Sequence, residues 1–182
     1  MSGLTHAQAA GILKGYDFSN FDTIADVGGG KGDLLRAVLA ATPNLEGVIF
    51  DLPNVIEQAS AISSDRLKFE AGSFFEDPLP VCDAYIMKAI LHDWSDQEAA
   101  QILKAVRRSA PRHAKLLLAE FLLPDDNDPS WTLFVDLIML GELTGKERTQ
   151  AEFRDLLGGT GFRLDRVIAT GFNTFLLEAS VI

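Results

Sequence analysis

The chain of 182 residues holds one cysteine, Cys82. A lone thiol closes no internal disulfide and builds no cysteine-based zinc cluster, so the chain suits a reducing compartment, no metal is expected, and Cys82 reads as a buried strand thiol. Basic residues are also scarce. Sixteen Lys and Arg face 26 Asp and Glu, a net charge of −10, which repels a phosphate backbone or an anionic lipid surface and excludes nucleic acid and membrane as general partners. The longest greasy stretch, LFVDLIML, is broken by Asp136, and the opening MSGLTHAQAAGILK has no basic segment followed by an apolar run. Neither a membrane span nor a secretory leader is expected, and the reading is a cytoplasmic protein. Repeats, linkers and low-complexity tracts are missing too. What remains is 47% hydrophobic and 23% charged, with 15 Gly and 7 Pro, an ordinary globular composition at a length that suits one domain.

Short β-branched runs alternate with helical periodicity along this chain. TIADVGG (23–29) is followed by Leu34, Leu35, Val38 and Leu39 at helical spacing and then by GVIFDL (47–52), a βαβ unit. A helix through Val55, Ile56 and Ala59 and strands at 67–72 and 82–88 come next. The box Ser95-x-x-Glu98 then opens a helix with the stripe Ala99, Ile102, Leu103 and Val106. Beyond Pro111 lie a strand at 115–123, an acidic turn, a helix at 130–142, a helix at 149–159, and two strands at 162–169 and 173–180 around Gly171 and Phe172. The short connection makes that last pair an antiparallel hairpin. The pattern predicts an α/β fold, a doubly wound sheet of seven strands, mostly parallel, in which ligands bind beyond the carboxyl ends of the strands.

The first such end carries Asp26-Val27-Gly28-Gly29-Gly30-Lys31-Gly32, spaced G-x-G-x-G. A dinucleotide fingerprint needs glycine where Asp33 stands, and a P-loop needs it where Ala25 stands. Asp51 ends the second strand, where a carboxylate can take both hydroxyls of a ribose. Asp26, Asp33 and Asp51 would repel a pyrophosphate but attract a sulfonium and an α-ammonium, which favours S-adenosylmethionine over a nicotinamide dinucleotide.

A second strand end, MKAILHDWSD (87–96), carries Lys88 and then His92 in the turn before the capped helix. A hydroxyl becomes a good nucleophile on losing its proton, and imidazole is the side chain suited to take it near neutral pH. Glu120 on the fifth strand and Glu147 in the turn GKERT can reach the same edge to orient the ring and stabilise its protonated form. His92, Glu120 and Glu147 are therefore the candidate catalytic group. Trp94 is a candidate wall of an aromatic pocket and Asp93 a candidate substrate contact.

The blocks YDFSNFDTIADVGGGKG, FDLP, AGSFFEDPLP, DAYIMKAILHDWSD, LAEFLLP, GKERTQAEF and GGTGF resemble, in sequence and in order, the catalytic domain of S-adenosylmethionine-dependent O-methyltransferases of the caffeic acid, acetylserotonin and bacterial small-molecule type. The resemblance implies a class I methyltransferase (Rossmann-like) fold and transfer of a methyl group to a hydroxyl of a small aromatic molecule, with His92 as general base. It implies that Gly28 and Gly30 line the cofactor beyond Asp26, that Asp51 and Leu52 flank the ribose, that Phe74 covers the adenine, and that Lys88 approaches the cofactor. Val135, Ile138 and Met139 would face the acceptor. Ser73 stands where the family usually has an aspartate. The resemblance assigns residues 1–15 to a helical approach segment and 16–182 to the catalytic domain, without the family's N-terminal dimerisation domain. Two partners are then expected, a homo-oligomeric copy or a complementing N-terminal domain, because a helix apolar on nearly every face at 130–142 needs cover on both sides. The rival reading is a catalytically silent S-adenosylmethionine-binding module that regulates a partner.

Overall fold

Apolar residues spaced by two in the strands and by three or four in the helices assemble into a twisted sheet covered on both faces. The computed structural model describes residues 3–59, 64–124, 145–171 and 173–182. Its helices are α1 (Gly3–Gly15), α2 (Asp33–Ala41), α3 (Pro53–Ala59), α4 (Asp96–Ser109) and α5 (Gln150–Gly158). Its strands are β1 (Thr23–Val27), β2 (Glu46–Asp51), β3 (Leu67–Ala71), β4 (Ala84–Lys88), β5 (Lys115–Leu123), β6 (Arg148–Thr149), β7 (Phe162–Gly171) and β8 (Thr174–Val181).

The sheet runs β3-β2-β1-β4-β5-β8-β7, with β6 pairing β5 off this path. Strands β1 to β5 pair in parallel, and β8 is antiparallel to both β5 and β7. The seven-strand, mostly parallel reading with a closing hairpin therefore holds. The two-residue β6 is an addition, since so short a strand has no period to recognise. Cys82 is buried as expected but precedes β4.

Alternation sorts the core. Ala25, Val27, Tyr85, Met87, Leu116 and Leu118 pack on α4 and α5, whereas Ile24, Ile86 and Leu117 pack on α1 and α2. The stripe Leu34, Leu35, Val38 and Leu39 of α2 is fully buried, each side chain contributing about 1.5–3 kcal/mol. The capping box at α4 forms, Glu98 N–H donating to Ser95 Oγ while Glu98 Oε2 accepts from Ser95. A second box, Thr149 with Glu152, starts α5.

Strand order reverses between β1 and β4. Their carboxyl ends are the Gly28 loop and the Lys88–His92 segment, so this topology places the two sequence blocks side by side. Among the described residues no helix is long and apolar enough to cross a membrane.

Candidate active site

The loop after β1 turns through positive φ at Gly28 (73°) and Gly30 (58°), conformations glycine adopts without the steric cost of a Cβ. At Gly28 a Cβ would also lie 2.5 Å from Ile90 Cδ1, so the loop packs directly on the β4 turn. Gly30 faces open space, with no atom within 4 Å of the Cβ it lacks. Its N–H donates to Asp51 Oδ2 at 2.8 Å, and the Leu52 N–H donates to Asp51 Oδ1 at 2.7 Å. A carboxylate has about four acceptor positions, so both oxygens keep a lone pair for a diol.

Two cavities meet at Gly28. One, of about 250 Å³, runs from Asp51, Leu52 and Ser73 to an aromatic wall of Phe74, Phe75 and Trp94. The three rings meet edge to face with centroids 4.8, 4.9 and 5.9 Å apart. The other, of about 220 Å³, is lined by Asp26, the loop glycines, Lys31, Asp33 and Lys88. Asp26 lies beneath it, where burial pushes its carboxyl up to about 7 against the pull of Lys88, with Asp51 adding to the rise. An elongated ligand with a flat apolar end, a diol and a charged end fits this pair.

Ser73 is engaged locally. Its hydroxyl accepts from Phe75 N–H at 3.3 Å and its own N–H donates to Asp77 at 2.9 Å. Asp93 and Trp94, read as acceptor contacts, line the same cavity as Asp51 and Phe74. Val135, Ile138 and Met139, with the helix expected at 130–142, lie outside the described residues.

His92 sits in a 3₁₀ turn, Leu91–Asp93, and is buried, only 9% exposed. Its Nδ1–H donates to Glu147 Oε1 at 2.9 Å, and Asp93 Oδ1 lies 3.4 Å from Nε2. Burial alone pulls the imidazole down, but the Glu147 hydrogen bond and the charges of Glu120, Glu147 and Asp93 outweigh it and hold the ring up at about 9. Glu120 departs from its expected contact. Its Oε1 accepts from the backbone N–H groups of Ile90 (3.1 Å) and Leu91 (2.9 Å), so it holds the turn rather than the ring. Burial pushes Glu120 up to about 7, His92 and the two N–H groups opposing that rise. The preceding residue, Ala89, has φ 53°, a strained conformation of the kind found at ligand sites.

Sequence reasoning passed over Arg148, which is 1% exposed and lies against this turn. It also passed over Phe75 and Ile90 on the first cavity. The only signal was the presence of Arg148 inside the GKERT block, beside Glu147.

Residues 1–163 match the O-methyltransferase domain family. The chain belongs to that family. This O-methyltransferase domain is 39% identical over 183 residues to the phenazine O-methyltransferase PhzM of Lysobacter antibioticus, covering 98% of the chain and 54% of that protein. It is 40% identical over 169 residues to the acetylserotonin O-methyltransferase of Bos taurus, covering 90% of the chain and 49% of that protein. Its fold superposes on human N-acetylserotonin methyltransferase, solved in complex with S-adenosylmethionine, with a TM-score of 0.90 at 29% identity over 98% of the chain and 54% of the other. The domain thus spans about half the length of these relatives, and its structural likeness to them includes the class I methyltransferase sheet.

Proposed function

We propose that this domain binds S-adenosylmethionine across its two cavities and transfers the methyl group to a hydroxyl of a small aromatic molecule, with His92 as general base. The observation that carries the reading is the buried imidazole in the turn whose neighbours Ile90, Asp93 and Trp94 line the cavity of Asp51 and Phe74, its Nδ1 held by Glu147 and its Nε2 3.4 Å from Asp93. Asp51 would hold the ribose hydroxyls, and Phe74 with Trp94 would enclose the adenine. Asp26 and Lys88 would meet the charged end. When bound, the cofactor supplies an electrophilic methyl group on a sulfonium, leaving S-adenosylhomocysteine as a neutral thioether.

The chain's own work is at the hydroxyl. His92 Nε2 would accept its proton and leave the oxygen as the nucleophile toward the methyl group. The resulting imidazolium is stabilised by Glu147 on Nδ1 and by Asp93 beside Nε2, and then returns its proton to solvent. Because about half of each relative lies outside the matched region, the acceptor pocket is completed by an N-terminal domain or a second copy of the chain.

Calorimetry with S-adenosylhomocysteine and NADH, followed by a methyl-transfer screen over phenols, tests the reading. S-adenosylhomocysteine should bind and NADH should not. His92→Ala should keep cofactor affinity and lose about a hundredfold or more in turnover. An Ala variant as fast as its parent would move the base elsewhere.

A further inference from the structure

One buried cation in this domain lines neither cavity and has no hydrogen bond to the His92 ring. The Arg148 side chain is fully buried, with 0% of its surface exposed, and a guanidinium is costly to bury unless its donors are used. Apart from a longer contact of 3.4 Å from Nη1 to Lys146 O, they are used on one segment. Nη1 donates to Leu91 O at 2.7 Å, Nη2 donates to Trp94 O at 2.9 Å, and Nε donates to Asp96 Oδ1 at 2.9 Å. Leu91 and Trp94 bracket His92. The planar fork is what spans both carbonyls at once, a geometry that an ammonium group does not reproduce.

The backbone of Arg148 belongs to the other partner. Arg148 pairs with Leu122 of β5 and directly follows Glu147, whose carboxylate meets the imidazole. Closer to the chain start, Gly145 presses on the same turn, since a Cβ there would fall 1.9 Å from His92 O. The 145–148 segment and the His92 turn therefore touch in three places: Gly145 on backbone, Glu147 on the ring, and Arg148 on the flanking carbonyls. From the opposite side Glu120 takes the N–H groups of Ile90 and Leu91. A carboxylate thus anchors the donors of the turn and a guanidinium anchors its acceptors.

We propose that Arg148 is the positioning residue of this site, its guanidinium locking the Leu91–Trp94 turn onto the Glu147 segment so that the His92 ring meets Glu147 and Trp94 walls the cofactor cavity. Its service to a general base rests on the function proposed above, while the lock itself rests on the contacts alone. Charge does not account for it. Asp96 is 61% exposed and is already paired with Lys146 at 3.1 Å, so an exposed cation would serve Asp96 equally well.

The test follows the His92 ring proton through a pH titration by NMR, with calorimetry of S-adenosylhomocysteine, in the 182-residue chain and in Arg148→Lys. The Lys variant should lower the His92 midpoint by on the order of one pH unit, because the ring drifts from Glu147. It should also weaken S-adenosylhomocysteine by about threefold to tenfold, because the Trp94 wall loosens. In a Glu147→Gln background the same substitution should no longer move the midpoint, the non-additivity expected of residues acting as a unit. An unchanged midpoint in Arg148→Lys overturns the proposal, and so does a fall of equal size with and without Glu147. Should the Lys variant not fold, Asp96→Asn loosens the Nε contact together with the exposed Lys146 pair and must shift the midpoint in the same direction, while Lys146→Gln, which removes that pair and leaves the Nε contact, must not; an unmoved midpoint in Asp96→Asn, or an equal shift in Lys146→Gln, overturns the proposal as well. A parent chain that fails to bind S-adenosylhomocysteine would sink the functional reading instead, and the titration would still report on the lock.

Discussion

Replacing Glu147 by Gln keeps the size of the side chain and a hydrogen-bonding oxygen opposite His92 Nδ1 while deleting the charge. In the parent the imidazole is held up at about 9 from its ordinary 6.5, an interval worth about 3 kcal/mol in favour of the protonated ring. Burial opposes that rise, and the hydrogen bond to Glu147 is the strongest influence sustaining it. With Gln at 147, burial is countered only by Glu120 and Asp93, so the His92 midpoint should fall by on the order of 1–2 pH units. NMR titration of the ring proton reads this directly. Stability offers an independent check. A histidine whose folded pKa is raised contributes stability that is fully present below 6.5 and is lost as pH rises through about 9. The Tm difference between parent and Glu147→Gln should therefore favour the parent most at pH 6 and shrink steadily toward pH 10. The slope carries the diagnosis, because burying a neutral amide instead of a carboxylate shifts the whole curve by a constant. A His92 that titrates identically in both proteins, or a Tm difference flat in pH, would refute the coupling.

Asp51→Ala should weaken S-adenosylhomocysteine by about 1–3 kcal/mol, since it removes the diol acceptor and also releases the Gly30 and Leu52 N–H groups; unaltered calorimetric affinity removes Asp51 from the site. Turnover on any accepted phenol should climb about tenfold per pH unit until His92 has lost its proton near 9, whereas a rate level between pH 6 and 9 would assign the proton to another group. Glu120→Gln keeps an acceptor for the Ile90 and Leu91 N–H groups and removes a carboxyl whose folded value, about 7, exceeds its ordinary 4.5. The parent then loses stability across that interval as the buried carboxylate ionises, so thermal denaturation should show the Gln variant gaining on its parent from pH 4 to pH 8.

Strands were readable here because short apolar runs, buried on both faces, form the centres of β1, β2, β4 and β5, and the helix stripes were readable because their spacing matches the turn of a helix. The candidate ligand residues at strand ends followed from the same logic: Asp26, Asp51 and Lys88 end or nearly end β1, β2 and β4. What was not legible depends on backbone shape. Ala89 takes a left-handed conformation that its residue type does not advertise, and that twist turns the next two N–H groups toward Glu120 and away from the pattern a strand would give. Arg148 was hidden for a different reason. A charged residue next to a helix start normally reads as solvated, and only the four acceptors converging on it reveal how it is buried.

The turn that carries His92 belongs to neither sheet nor α-helix, and backbone partners serve Ala89, Asp93 and Trp94 N–H while side chains serve the N–H groups of Ile90 and Leu91 and the carbonyls of Leu91 and Trp94. Neutral partners would serve that purpose at lower desolvation cost. The charges bring two further properties. Glu120 from β5 and Glu147 from the residue before β6 both place charge near the histidine, the second in direct contact, so an imidazolium formed by the proposed proton transfer would meet carboxylates already in place and need little reorganisation. Arg148 supplies a buried positive charge whose donors go to the carbonyls of Leu91, Trp94 and Lys146 and to Asp96. With Glu147 held on Nδ1, Nε2 is the ring atom that the proposed transfer would use.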